Sequence, residues 1–261
     1  MDINLVEFDV TLGKDKPRTL MNESAPCPFC DVPHLTNIID RDGSIILLRN
    51  KYNVLRGADQ FVLIEHDVCT GDMPDYTSEH MRRLITFALK HWRRLLRSGA
   101  YETVLFFKNY GPLSGGTIRH PHMQLVGFPK LNKELLFNKE EFVGITALQK
   151  DGIAINVGTC PRIGFGELNI VPDETFSVST LADLIQICVD YLTKHFNIHC
   201  TSYNIFFYDA GGNGEKFYVK LIPRFATSPL FVGYNIRFLP NNLELIASEL
   251  RAYYGEVLGI G

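Results

Sequence analysis

Gly115-Gly116-Thr117-Ile118-Arg119-His120-Pro121-His122-Met123-Gln124 gathers two glycines, a hydroxyl, two imidazoles and an amide into one short stretch. The apolar continuation Leu125-Val126 makes the run from about Arg119 a strand. Side chains two apart on a strand share a face, so His120, His122 and Gln124 point one way and Met123 the other. That face carries two imidazoles, each able to ligate a metal or attack an electrophile, and an amide able to bond an anionic oxygen. Parity alone does not choose between the two histidines. Pro121 has no N–H for a ladder, which puts it at a sheet edge or where the strand begins. The Gly115-Gly116-Thr117 turn offers N–H groups and a hydroxyl to a phosphate.

Working outward, residues 104–109 read as a strand, and Tyr110-Gly111-Pro112 turns the chain into the histidine motif. Before it comes a helix capped by Ser78 and running to about Arg97, with Met81, Leu84, Ile85, Ala88, Leu89 and Trp92 on one face. Arg82, Arg83, Lys90, Arg93 and Arg94 form its solvated face. Residues 61–67 are a buried strand ending on His66, and residues 45–48 a shorter one leading to Asn50-Lys51-Tyr52-Asn53. A strand is expected over residues 6–10. Downstream the order recurs: a strand over 167–173, a helix capped at Thr180 and reaching about Phe196, a strand over 205–211, a Gly-Asn-Gly turn, and a strand over 217–222. Strand, helix, strand, glycine turn, strand occurring twice reads as an internal duplication. Pro172 stands where His66 would be, and no histidine occurs between Lys216 and Arg224. The chemistry is therefore expected in the first half, with Lys216, Lys220 and Arg224 read as solvated surface charges, the alternative being that one of them reaches a substrate phosphate. Residues 241–254 read as a surface helix.

With 261 residues, 46% hydrophobic and 21% charged, the chain has globular values and can bury about three quarters of its unfolded surface. A net charge of -3 and the lack of a Lys/Arg run argue against general nucleic-acid binding. No apolar stretch approaches the roughly 20 residues of a membrane span, and the start lacks a signal-peptide pattern. A cytoplasmic protein without nucleic-acid or membrane partners is expected. Among six cysteines only Cys27 and Cys30 are close. That spacing means a redox dithiol or half of a metal site, and the crowding by Pro26, Pro28 and Pro33 favours a metal knuckle. His34 stands near enough to ligate as well. Cys69, Cys160, Cys188 and Cys200 read as reduced packing residues.

His-Pro-His-x-Gln after a glycine turn, together with Cys27/Cys30, His66 and Asn109, resembles the histidine-triad superfamily. The form is that of galactose-1-phosphate uridylyltransferases and related nucleotide phosphorylases, in which Gln replaces the last His. The resemblance covers roughly residues 24–225. It implies an α+β fold of two histidine-triad-like halves, antiparallel sheets each covered by a helix: residues 1–129 catalytic, with a zinc knuckle, and residues 130–261 degenerate. It implies a nucleotidyltransferase in which His122 attacks the α-phosphorus of a nucleotide sugar or dinucleotide, a phosphate or sugar phosphate then collecting the nucleotide. The choice of His122 over His120 rests on the family, in which the second His attacks and the first binds metal. A metal-bound imidazole has committed its lone pair, which agrees with that assignment. Gln124, Asn109, Gly115, Gly116 and Thr117 are expected around the phosphate, and Asn50 at the nucleoside, although Asn53 departs from the family's Pro. The implied metal is zinc on Cys27, Cys30, His66 and His120, with His34 in reserve; four protein ligands make such a site structural. Alternatives are a hydrolase of the same superfamily and a zinc-stabilised nucleotide-binding protein without turnover. Relatives of this type are often dimers, so a homodimer is the default.

Overall fold

Phe106 and Phe107 stand opposite Phe207 and Phe206 on two central strands, and the sheet is built outward from that pairing. The computed structural model describes residues 3–22, 24–196 and 199–259. In chain order the strands are β1 (Ile38–Asp42), β2 (Ile45–Arg49), β3 (Asp59–Ile64), β4 (Thr103–Tyr110), β5 (His122–Phe128), β6 (Gly144–Lys150), β7 (Ile153–Gly158), β8 (Leu168–Pro172), β9 (Tyr203–Asp209) and β10 (Phe217–Pro223). They form one ten-stranded antiparallel sheet in the order β1-β2-β3-β5-β4-β9-β10-β8-β7-β6. Read outward from the centre, the two flanks repeat the same succession, so the expected duplication appears as a two-fold sheet. The fold is α+β, as expected, and the two half-sheets are continuous.

The register refines the repeat. Phe106, Leu125 and Phe61 align across one flank as Phe207, Val219 and Ile170 do across the other. By that count Pro172 stands level with Leu63, not with His66, and the exposed Lys216 takes the place of His122.

Helices lie on one face. α2 (Ser78–Leu96), α3 (Val178–Asp190) and α5 (Leu243–Tyr254) bury their apolar stripes against Leu63, Phe106, Met123 and Leu125 of the first half and Ile155, Val219 and Leu221 of the second. Two short helices, α1 (Val10–Lys14) and α4 (Pro229–Tyr234), complete the set. The strand expected over residues 6–10 is reduced to a single bridge from Phe8 to Leu55, and α1 follows at once because Asp9 accepts a hydrogen bond from Leu12 N–H and so caps a helical turn. The caps of the long helices fall earlier than expected, on Thr77 and Ser177, whose hydroxyls accept from His80 and Thr180 N–H. Much of the basic face of α2 is paired: Arg82 forks onto Asp183 of α3 at 2.9 and 2.7 Å, and Lys90 meets Asp40 at 2.9 Å. Among the described residues no helix is long and apolar enough to cross a membrane.

Candidate active site and metal centre

The face of the sheet opposite the long helices carries the site. Pro121 directly precedes β5, an interior strand, so the missing N–H falls where pairing begins. The alternation then holds: Met123 and Leu125 enter the helical core, while His122 and Gln124 line a cavity of about 430 Å³ on the other face. Asn50, Asn109, Gly115, Gly116 and Thr117 line the same cavity. Leu48 and Val62 give it an apolar floor, and Lys16, Arg49 and Lys51 stand around it. Arg49 is paired with Asp59 at 2.8 Å. Asn50 turns its side-chain oxygen back to accept from Tyr52 N–H at 2.9 Å, which pins the turn after β2. Gly115 takes a φ of +86°, a conformation that suits glycine.

His122 is buried, and its Nδ1 lies 2.8 Å from the His120 carbonyl oxygen. A carbonyl only accepts, so Nδ1 carries the proton and Nε2 keeps the lone pair. Burial holds the imidazole neutral, with a pKa lowered to about 4. Phe29, from the cysteine knuckle, meets both histidine rings edge-on at 5.9 and 5.4 Å.

The neighbouring cluster differs from the expected ligand set. The donor atoms of Cys27, Cys30, Cys69 and His120 all lie within 4.8 Å of one another. His120 turns Nδ1 toward the sulfurs of Cys27 and Cys30, at 3.7 and 3.4 Å, and donates Nε2–H to the His66 carbonyl at 2.7 Å. That is the arrangement of a metal-binding imidazole whose second nitrogen is fixed by a backbone oxygen. Burial first, then the neighbouring sulfurs, push the Cys30 thiol up to about 12, and burial also raises Cys27. A bound divalent cation would offset the negative charge of the thiolate forms, and three thiolates with one imidazole suit tetrahedral zinc. The donor set fits that metal.

The ring of His66, expected as a ligand, is not in the cluster. It stacks on Tyr76 at 5.3 Å and meets His80 at 4.7 Å, while its Nδ1 lies 2.6 Å from Asp67 Oδ1. The chain turns after β3, so the His66 carbonyl faces His120 and Cys69, three residues on, takes the corner. Cys69 was expected to be a packing residue; its pairing with the knuckle is visible only once the turn is folded. Cys160 is exposed rather than packed, whereas Cys188 and Cys200 are buried. His34, the reserve ligand, is exposed and paired with Asp31 at 2.7 Å. Two other contributors lack a sequence signal: Lys16, on the segment before Thr19, and Asn204, which bonds Asn109 from the second half at 2.6 Å.

Fold and site together define an α+β protein whose two-fold, ten-stranded antiparallel sheet carries a histidine-lined cavity beside a cysteine–histidine cluster. Residues 8–131 match the N-terminal domain, and residues 134–255 the C-terminal domain, of the family described as domain of unknown function DUF4931. The chain belongs to this family. It is 39% identical to a DUF4931 family protein from Bacillus cereus, whose crystal structure superposes with a TM-score of 0.74 over 83% of this chain and 99% of that one. A uridylyltransferase shares the fold at 17% identity, with a TM-score of 0.71 over 90% of this chain and 93% of the other. An Arabidopsis thaliana ADP-glucose phosphorylase with bound ADP-glucose does so at 14% identity, with a TM-score of 0.71 over 96% and 98%. No curated protein matches the chain.

Proposed function

We propose that the protein is a nucleotidyltransferase working by double displacement through His122. The observation that carries this reading is the tautomer of His122: Nδ1–H is bound to the His120 carbonyl, and the ring borders a cavity shared with Gln124 and the Gly115–Gly116 turn. Nε2 attacks the α-phosphorus of a nucleotide sugar or dinucleotide. A P–N bond forms as the bond to the leaving sugar phosphate or nucleotide oxygen breaks, and that oxygen departs with the electron pair. An oxygen of a phosphate or sugar-phosphate acceptor then attacks phosphorus, and the P–N electrons return to Nε2. Throughout, the proton stays on Nδ1, hydrogen-bonded to the His120 carbonyl, which stabilises the positive charge the ring gains. Gln124, Asn109, Thr117 and the glycine amides hold the nonbridging oxygens, and Asn50 helps hold the nucleoside. Zinc on Cys27, Cys30, Cys69 and His120 supplies structure, fixing the segment whose carbonyl orients His122.

In this reading residues 1–129 form the catalytic half and residues 130–261 a degenerate one. The test is isotope exchange. Labelled sugar phosphate should enter the matching nucleotide sugar, or labelled phosphate a nucleoside diphosphate, without net consumption. Release of nucleoside monophosphate into water without exchange would assign a hydrolase instead. Binding with neither outcome would assign a non-catalytic nucleotide-binding protein.

A further inference from the structure

Asn109, on β4, faces Asn204, on β9, directly across the junction of the two halves. Asn204 is buried, and its polarity is set by its neighbour: Arg224 donates from Nη1 to Asn204 Oδ1 at 2.7 Å. A guanidinium has only donors, so the amide oxygen of Asn204 must face it and the amino group must face away. That amino group donates to Asn109 Oδ1 at 2.6 Å and to the Ser114 carbonyl at 3.0 Å. With its oxygen engaged, Asn109 keeps its own NH2 for the cavity it lines. A donor is what an anionic phosphate oxygen needs there; a flipped Asn109 would present an acceptor and repel it.

The same strip of the second half grips the glycine turn. Leu113 N–H donates to Ser202 Oγ at 3.1 Å, and Ser114 Oγ bridges, donating to the Gly111 carbonyl at 2.7 Å and accepting from Gly116 N–H at 3.2 Å. Gly111 has a φ of +78°, and a Cβ there would meet the Thr201 carbonyl at 2.1 Å, so the turn is pressed against residues 201–202.

We propose that Arg224 and Asn204 are positioning residues of the site: together they set the amide of Asn109 as a phosphate donor, and Asn204 holds the turn before Gly115. The degenerate half thus determines phosphate recognition in the catalytic half, without touching substrate. The inference rests on the nucleotide reading of the cavity. It requires only that the cavity bind phosphate groups.

The discriminating variant is Asn204→Asp. The introduced carboxylate keeps the contact with Arg224 but has no donor, so Asn109 must turn its NH2 toward it and its oxygen into the cavity. Pyrophosphate titration, followed through the Asn109 side-chain amide signal, reads this without turnover. The wild type should saturate, and Asn204→Asp should need about tenfold more pyrophosphate, the scale of a hydrogen bond to a charged group. Metal content should match the wild type, and the thermal midpoint should fall only modestly, from the lost bond to the Ser114 carbonyl. In an Asn109→Ala background, with pyrophosphate binding followed by calorimetry, Asn204→Asp should lose clearly less than in the wild-type background, because the part of its effect that runs through Asn109 is already gone and only the Ser114 contact remains. Equal affinities in wild type and Asn204→Asp, multiplicative losses in the double variant, or no wild-type response to pyrophosphate would overturn the relay. A wild type that binds pyrophosphate through Asn109 yet never becomes nucleotidylated would support the relay and contradict the proposed transferase.

Discussion

His120 presents Nδ1 to two sulfurs and gives its Nε2–H to a carbonyl, while His122, two residues on, binds a carbonyl through Nδ1 and keeps Nε2 free. These opposite tautomers suit one ring to metal ligation and the other to the nucleophilic role proposed for it, and strand parity could not make that division. The irregular chain before β5 does so, because His120 precedes the ladder and His122 opens it. At this scale the sequence showed the cysteine knuckle and the histidine motif, whose members are close along the chain. It misdirected the fourth ligand. The family resemblance put the His66 ring at the metal, whereas its carbonyl is the group that reaches His120. Cys69 lies 39 positions from Cys30, and only the turn after β3 closes that gap. Substitution separates the two. Cys69→Ser should weaken zinc binding by more than about 100-fold, since changes beyond the ligands alone cost about 10–100-fold. His66→Ala should keep one zinc per chain. Elemental analysis after competition with a chelator reads both, and full zinc in Cys69→Ser with loss in His66→Ala would reverse the assignment.

The turn that carries Cys69 is fastened at both ends by a buried polar group. Lys108 of β4 faces the helical side with no exposure, 2.6 and 2.7 Å from the Glu65 carboxylate oxygens and 3.4 Å from Asp72. Tyr76 donates to Glu65 at 3.1 Å, and Tyr203 of β9 donates to Asp72 at 2.7 and 2.8 Å. Burial raises the Asp72 carboxyl above its ordinary range, with Lys108 opposing that rise. Strand and helix were legible here because their apolar periods of 2 and 3.6 are long and clean. The buried charge was not: a lysine in an alternating strand looks the same in sequence whichever face it takes. Lys220 is the parallel case. It was expected at the surface, yet it is fully buried, 3.0 Å from Glu167 and 2.7 Å from Asn169 Oδ1. Lys108→Met should cost about 3–5 kcal/mol in denaturant unfolding, because it strands two carboxylates without a cation. Adding Glu65→Gln should recover part of that loss. A single variant within 1 kcal/mol of wild type, on the order of an exposed pair, would contradict this account.

At the scale of the molecule, the duplicated order of elements was readable from the chain, but the junction was not. Nothing local specifies that β4 pairs with β9, because either half could have paired through another edge. The aromatic strip that makes the junction, with Phe106 stacked on Phe207 at 4.0 Å, is assembled from residues about 100 positions apart. Once joined, the halves diverge. The first leaves a cavity bordered by His122 and Gln124. On the same face the second fills its space with the Lys220–Glu167–Asn169 group, where Glu167 also accepts from the N–H groups of Arg162, Ile163 and Gly164. The central claim is that His122 becomes nucleotidylated, and intact mass followed by peptide mapping tests it most directly. Incubated with a panel of nucleotide sugars and dinucleotides, the wild type should gain the mass of one nucleoside monophosphate. The adduct should map to His122 and be lost on adding the phosphate acceptor. His122→Asn should keep its zinc and fold and gain nothing. A nucleotide attached elsewhere, or an adduct that persists in His122→Asn, would contradict the account.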